Sequence, residues 1–216
     1  MVANVKHTLN KIATFENLNE LNKIDIEKLR LAYLNELLKY ISIKNLNGKT
    51  FIDKLPLSII DIGLILRIFP GARFILTIRH PLDCILSCFM QTFNLNDAMA
   101  NFLDLKSTAQ LYDSSMKLFD IYNNKFKLKY HLIKYENLIV SLKNETSELL
   151  KFFGLSWEKE IDNYRNNALV RKINTPSYNQ VTEKIYTRAS GRWENYKTEM
   201  KDIIPLIQFW IEKWEY

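Results

Sequence analysis

Arg79 and Ser87 are the residues whose types and spacing first suggest chemistry. They lie in RFILTIRHPLDCILSC, residues 73–88. An apolar run ends on the arginine, a proline follows two residues later, and a helical pattern then carries the serine. A guanidinium at such a turn can grip a phosphate or sulfate through two parallel N–H bonds. Ser87 sits two helical turns on, roughly 12 Å along the axis. Both residues reach one anion only if the ligand lies along the helix. Alternatively Arg79 pairs with Asp83 and Ser87 is a small packing residue. The pattern alone leaves both readings open.

The elements around this pair explain its placement. RFILTI (73–78) has hardly a polar residue, as expected of a strand covered on both faces in a parallel sheet. Pro81 suits the first position of a helix, where its missing N–H costs nothing. Asp83 in the first turn favours the helix dipole, and His80 shapes the turn or caps the helix. KTFIDK (49–54) and KYHLIKY (129–135) read as further strands. The spacing predicts helices from Asp25 to about Ile41, from about Leu57 to Phe69, and over 97 to about 127 in one or two pieces. LKNETSELLKFFG, stopped by Gly154, and the amphipathic PLIQFWIEKWEY are two more. Asp25 is a candidate cap for the first of these, with Leu29, Tyr33, Leu34, Leu37, Leu38 and Ile41 as its apolar stripe. Residues 170–187 look irregular. Strands alternating with helices imply an α/β fold with a parallel sheet. Ligands in such sheets bind beyond the carboxyl ends of the strands. Lys54, Arg79 and Tyr135 each sit at or one step past a strand end, so parallel neighbours would bring them to one rim.

The totals bound the function. The chain has 216 residues, 47% hydrophobic and 25% charged, with a net charge of +6. That supports one sizeable core and excludes a disordered chain. The basic balance suits an anionic ligand, or reflects a Lys-rich solvated surface. Cys84 and Cys88, four apart on a helix, read as small buried apolar residues with no disulfide framework, which favours a reducing compartment. The N-terminus lacks the apolar core of a secretory signal, and no run approaches the ~18 apolar residues of a membrane span. The expectation is a soluble, cytoplasmic protein. The aromatics follow helix and strand periods and are not interleaved with basic clusters, which argues against a nucleic-acid platform. Trp193 and Tyr196 read as packing anchors, and His131 as partly buried in its strand.

DKLPLSIIDIGLILRIFPGARFILTIRHPLDCILSCF resembles the sulfotransferase family that uses 3′-phosphoadenosine 5′-phosphosulfate (PAPS), in its bacterial branch related to tyrosylprotein sulfotransferases. YENL (135–138), LLKFFGLSWE and TPSYNQVTEKIYTRASGRWENY (175–196) continue the resemblance in order, from about Asp25 to Trp193. It implies a three-layer, P-loop-NTPase-like parallel sheet flanked by helices, in a single domain over 1–216. It implies that Arg79 and Ser87 hold the 3′-phosphate and that Tyr135 contacts the cofactor. Lys54 and Ser177 would lie near the sulfuryl group, and Gly191 and Arg192 in a loop over the 3′-phosphate. PAPS would be the co-substrate with a hydroxyl acceptor, and no metal is implied. A P-loop kinase, a fold relative, is disfavoured by the RHPLDCILSC and SGRW matches.

One part of the family pattern has no counterpart here. The Gly/Ser/Thr-rich loop after the family's first strand cradles the 5′-phosphosulfate through backbone N–H groups. The five glycines of this chain are scattered, and NLNGKT (45–50) lacks the earlier glycine of a Walker sequence. The expectation is a domain without its first βα unit and without the catalytic carboxylate of the tyrosylprotein branch. Such a chain would be half of a split enzyme completed by an N-terminal fragment, a truncated copy, or a non-catalytic 3′-phosphonucleotide-binding remnant.

Overall fold

The structure is a computed structural model that describes residues 2–11, 17–41, 50–55, 57–163 and 185–216. The chain divides into two compact units. The first comprises residues 1–73 and 117–129, and the second comprises 74–116 and 130–216.

In the first unit, α1 (Val2–Leu9) packs on α2 (Lys23–Leu37), and α2 on α3 (Ile62–Ile68). Val5, Leu9, Leu21, Leu29, Leu64 and Ile68 form its buried cluster, with Tyr33 and Phe69 packed against it. Burying an aliphatic side chain of this kind contributes about 1.5–3 kcal/mol. Asn22, not Asp25, caps α2: its side chain accepts from the Ile24 and Asp25 amides at 2.8 and 3.1 Å. Both residue types cap well. Asn22 takes the role because the helix begins at Lys23, which leaves Asp25 inside the first turn. The expected stripe is buried only in part, since Leu29 and Leu37 are covered while Leu34 and Leu38 are exposed. Arg67 braces this unit by donating to the Leu18 and Leu21 carbonyls at 2.9 and 2.6 Å. The strand expected over 49–54 does not form: 50–54 is irregular, and residue 49 lies outside the described residues.

In the second unit, β1 (Phe74–Ile78) and β2 (Tyr130–Lys134) pair in parallel, with Ile78 opposite Lys134. These two strands make up the sheet among the described residues. The fold is therefore α/β, mostly helical with a small parallel sheet. β1 leads into α4 (Pro81–Met90), with Pro81 in the first turn as expected. α5 (Leu105–Phe126) runs across the boundary between the units. β2 leads into α6 (Tyr135–Val140) and α7 (Leu142–Phe153). Gly154 ends α7 in the left-handed region at φ 69°, where its amide and that of Leu155 satisfy the last carbonyls of the helix. Short helices α8 (Lys159–Asp162) and α9 (Lys197–Met200) precede α10 (Ile204–Lys213). α10 is anchored by Trp210, which is fully buried and donates from its indole to Asp113 Oδ1 at 2.8 Å.

Candidate functional site

The register of β1 and β2 decides the geometry. Ile78 is paired with Lys134, so Arg79 and Tyr135 are the next residue of each chain at the carboxyl rim. The Arg79 guanidinium carbon lies 5.2 Å from the centre of the Tyr135 ring. It also donates to the Ala189 carbonyl and stands 3.7 Å from Asp83 Oδ2. The pairing with Asp83 that the sequence left open is thus realised, yet the Arg79 side chain keeps 21% of its surface exposed. Burial pushes the Tyr135 hydroxyl up in pKa, against the pull of Arg79. That hydroxyl donates to the Tyr186 carbonyl at 3.4 Å.

Asp83 is the centre of this arrangement. It is 1% exposed. Its Oδ2 accepts from the Gly191 amide at 2.7 Å, and its Oδ1 from the Trp193 amide at 2.8 Å. A buried carboxylate costs several kcal/mol to desolvate. Charge-assisted bonds of about 1.5–3 kcal/mol each offset that cost. Gly191 adopts φ 71° immediately before a 3-10 helix over Arg192–Tyr196, which suits a residue without a Cβ.

The rim is braced from the other side by Glu136. Its Oε1 accepts from the His80 amide at 3.0 Å, and its Oε2 from the Tyr216 hydroxyl at 2.8 Å. The His80 ring stacks on Trp193 at 5.0 Å, and its Nδ1 accepts from the Leu82 amide at 3.2 Å. This is the helix cap expected of His80. Burial lowers its pKa below the usual 6.5, against the pull of Asp83 and Glu136. A cleft of about 500 Å³ opens beside these groups, lined in part by His80, Glu136, Trp193, Glu194, Gln208 and Tyr216. Among the described residues its lining carries the carboxylates of Glu136 and Glu194 and no lysine or arginine.

The other expected site residues are distributed as follows. Gly191 is brought to Arg79 through Asp83, and Arg192 next to it is exposed. Ser87 is exposed on α4, two turns beyond Arg79. Lys54 is exposed in the irregular segment of the first unit and does not end a strand. Ser177 lies outside the described residues. Cys84 and Cys88 are free thiols on α4, and both residues are half-buried. The contact between their thiols, with burial, raises the Cys84 pKa. Among the described residues no group of three or more His, Cys, Asp or Glu could hold a metal, and no helix is long and apolar enough to cross a membrane. The sequence did not single out Glu136 or Tyr216. It offered Asp83 the helix dipole or a pairing with Arg79, but not the Gly191 and Trp193 amides.

A family model described as "Sulfotransferase family" matches residues 3–159, well over half of the chain. The chain belongs to the sulfotransferase family. The matched span includes the Arg79, Ser87 and Tyr135 positions as well as Lys54. It begins upstream of the expected Asp25 and ends before Ser177, Gly191 and Arg192. An uncharacterized protein of Aquifex aeolicus (strain VF5) is 27% identical to this sulfotransferase-family chain over 165 residues, covering 76% of the chain. The chain spans about a fifth of that relative's length, 21%.

Proposed function

We propose that this chain forms the nucleotide-binding part of a sulfotransferase that draws its sulfuryl group from PAPS and passes it to a hydroxyl acceptor. The observation that supports this best is Arg79. It is a partly exposed guanidinium at the carboxyl rim of a parallel pair, beside an aromatic ring and a glycine-containing loop. Those are fitting neighbours for a phosphate on a nucleoside. In this reading Arg79 grips the 3′-phosphate, with the exposed Ser87 hydroxyl on α4 as a second donor for a ligand lying along the helix. Tyr135 packs on the nucleotide, and Gly191 and Arg192 close over the phosphate.

PAPS would supply an activated sulfuryl group on a nucleotide able to leave with negative charge. The protein's part in such a transfer is positioning and electrostatic stabilisation. We assign Lys54 and Ser177 to the transferring group as hydrogen-bond donors. We read no counterpart of the family's glycine-rich 5′-phosphosulfate loop in the sequence of these 216 residues. Turnover is therefore proposed to need polypeptide beyond them, either contiguous or as a separate N-terminal fragment completing the sheet. A second reading, nucleotide binding without turnover, is favoured by the exposed, irregular setting of Lys54.

The test is calorimetric titration with adenosine 3′,5′-bisphosphate (PAP), the desulfated product. Saturable binding weakened at least about tenfold in Arg79→Ala is expected, the scale of one lost charged contact. Binding that is equal in both proteins removes Arg79 from the site, and no binding by folded protein overturns the nucleotide reading.

A further inference from the structure

We infer that Asp83 is a positioning residue for the anion site: its carboxylate latches the 189–193 segment onto the start of α4, so that Arg79 and the loop meet a ligand as one preset surface. The inference rests on the nucleotide reading above. Three groups converge on this one buried carboxylate. The Gly191 and Trp193 amides donate to its two oxygens at 2.7 and 2.8 Å, and Arg79 Nη2 stands 3.7 Å from Oδ2. The two amides come from a segment more than a hundred residues further along the chain. No other described hydrogen bond from a side chain of α4 reaches that segment. Arg79 itself closes the circuit from the strand side through the Ala189 carbonyl.

Two roles follow from the geometry. Asp83 fixes where Gly191 and Arg192 stand, because a carboxylate accepting two amides two residues apart leaves the intervening turn one position. It also holds the Arg79 side chain toward the loop. Both roles bear on a phosphate at Arg79 and neither on the rest of a nucleotide. Asp83 thereby sets the preference for a nucleotide with a 3′-phosphate over one without it. Asparagine at this position keeps the shape but loses the charge and one acceptor, so one of the two amides is left unpaired.

The experiment compares wild type with Asp83→Asn in two measurements. One is amide hydrogen exchange in the unliganded protein. The other is affinity for PAP and for 5′-AMP, which lacks the 3′-phosphate. Expected are faster exchange at Gly191 and Trp193 with β1 and β2 amides unchanged, and a PAP-over-AMP preference reduced about tenfold, the scale of one charged hydrogen bond. Unchanged exchange at both amides overturns the latch whatever the nucleotide does. Faster exchange with an unchanged PAP preference overturns the positioning role while the nucleotide reading stands. If wild type binds no PAP, the nucleotide reading falls and the positioning role falls with it. The exchange data then decide the latch by itself. Should Asp83→Asn not fold, Gly191→Ala loosens the same loop without removing the buried charge, since its φ of 71° strains any residue with a Cβ. The same two readouts and the same outcomes apply to it.

Discussion

At neutral pH the His80 ring accepts a hydrogen bond from the Leu82 amide, a task that requires Nδ1 without its proton. Burial lowers the folded-state pKa below the ordinary 6.5. Between those two values the unfolded chain binds more protons than the folded one, so stability declines as pH falls. The contribution is fully present above about 6.5 and is lost below it, levelling once the folded ring also protonates. Thermal unfolding should therefore show a larger loss of Tm between about pH 7.5 and 5.5 in wild type than in His80→Asn, whose amide oxygen can cap without titrating. Equal losses would place the pH dependence elsewhere. Arg79 and Tyr135 were visible in the sequence because a strand that ends in a polar residue announces its rim. The work of Asp83 was not, because its amide partners lie more than a hundred residues away and no local pattern encodes them.

Among the elements, the strands at 73–78 and 129–135 and the helices after them were legible from their periods and stop signals. Gly154 illustrates why: only a residue tolerant of positive φ ends α7 this way. A Cβ there would meet nothing within 4 Å, so Gly154→Ala should cost only backbone strain, about 1–2 kcal/mol in chemical denaturation. A neutral result would mean that the terminus rearranges. Trp210 tests the docking of α10. Trp210→Ala removes a fully buried ring and its bond to Asp113, and should cost about 3–5 kcal/mol, read as a fall in denaturation midpoint. Trp210→Phe should cost less, because most of the volume stays. The segment 49–54 misled for a physical reason. A short run such as Thr50–Phe51–Ile52 suits a strand only where a neighbouring strand completes the hydrogen bonds, and 50–54 has no such neighbour among the described residues.

For the whole molecule, the division into two units has a measurable counterpart. Arg79, Tyr135, Asp83 and Gly191 all belong to the second unit. PAP should therefore slow amide exchange in 74–116 and 185–216 and leave α1 and α2 unchanged. At one hundred times its Kd, it should stabilise the protein by about 2.7 kcal/mol. Protection confined to the first unit would contradict the placement of the site. The sheet makes a second demand. Phe74, Ile75 and Leu76 are only half-buried, although strands this apolar are normally covered on both faces. Large side chains such as Ile24, Leu31, Ile52 and Leu55 are exposed in the first unit. The isolated chain should self-associate or bind a further polypeptide, as read by sedimentation velocity. A stable monomer with one cooperative transition would overturn that expectation.

The Asp83 carboxylate also imposes an order of events on biosynthesis. Its first partner, the Gly191 amide, lies 108 residues later in the chain. At a synthesis rate of about 5–20 residues per second, that interval lasts on the order of 5–20 seconds. Until it ends, α4 can form with its histidine cap, but the charge at its N-terminus must remain hydrated. The rim cannot close on Arg79 while the ribosome is still making the loop, so any anion affinity at this rim should follow the synthesis of residues 189–193 and not that of α4.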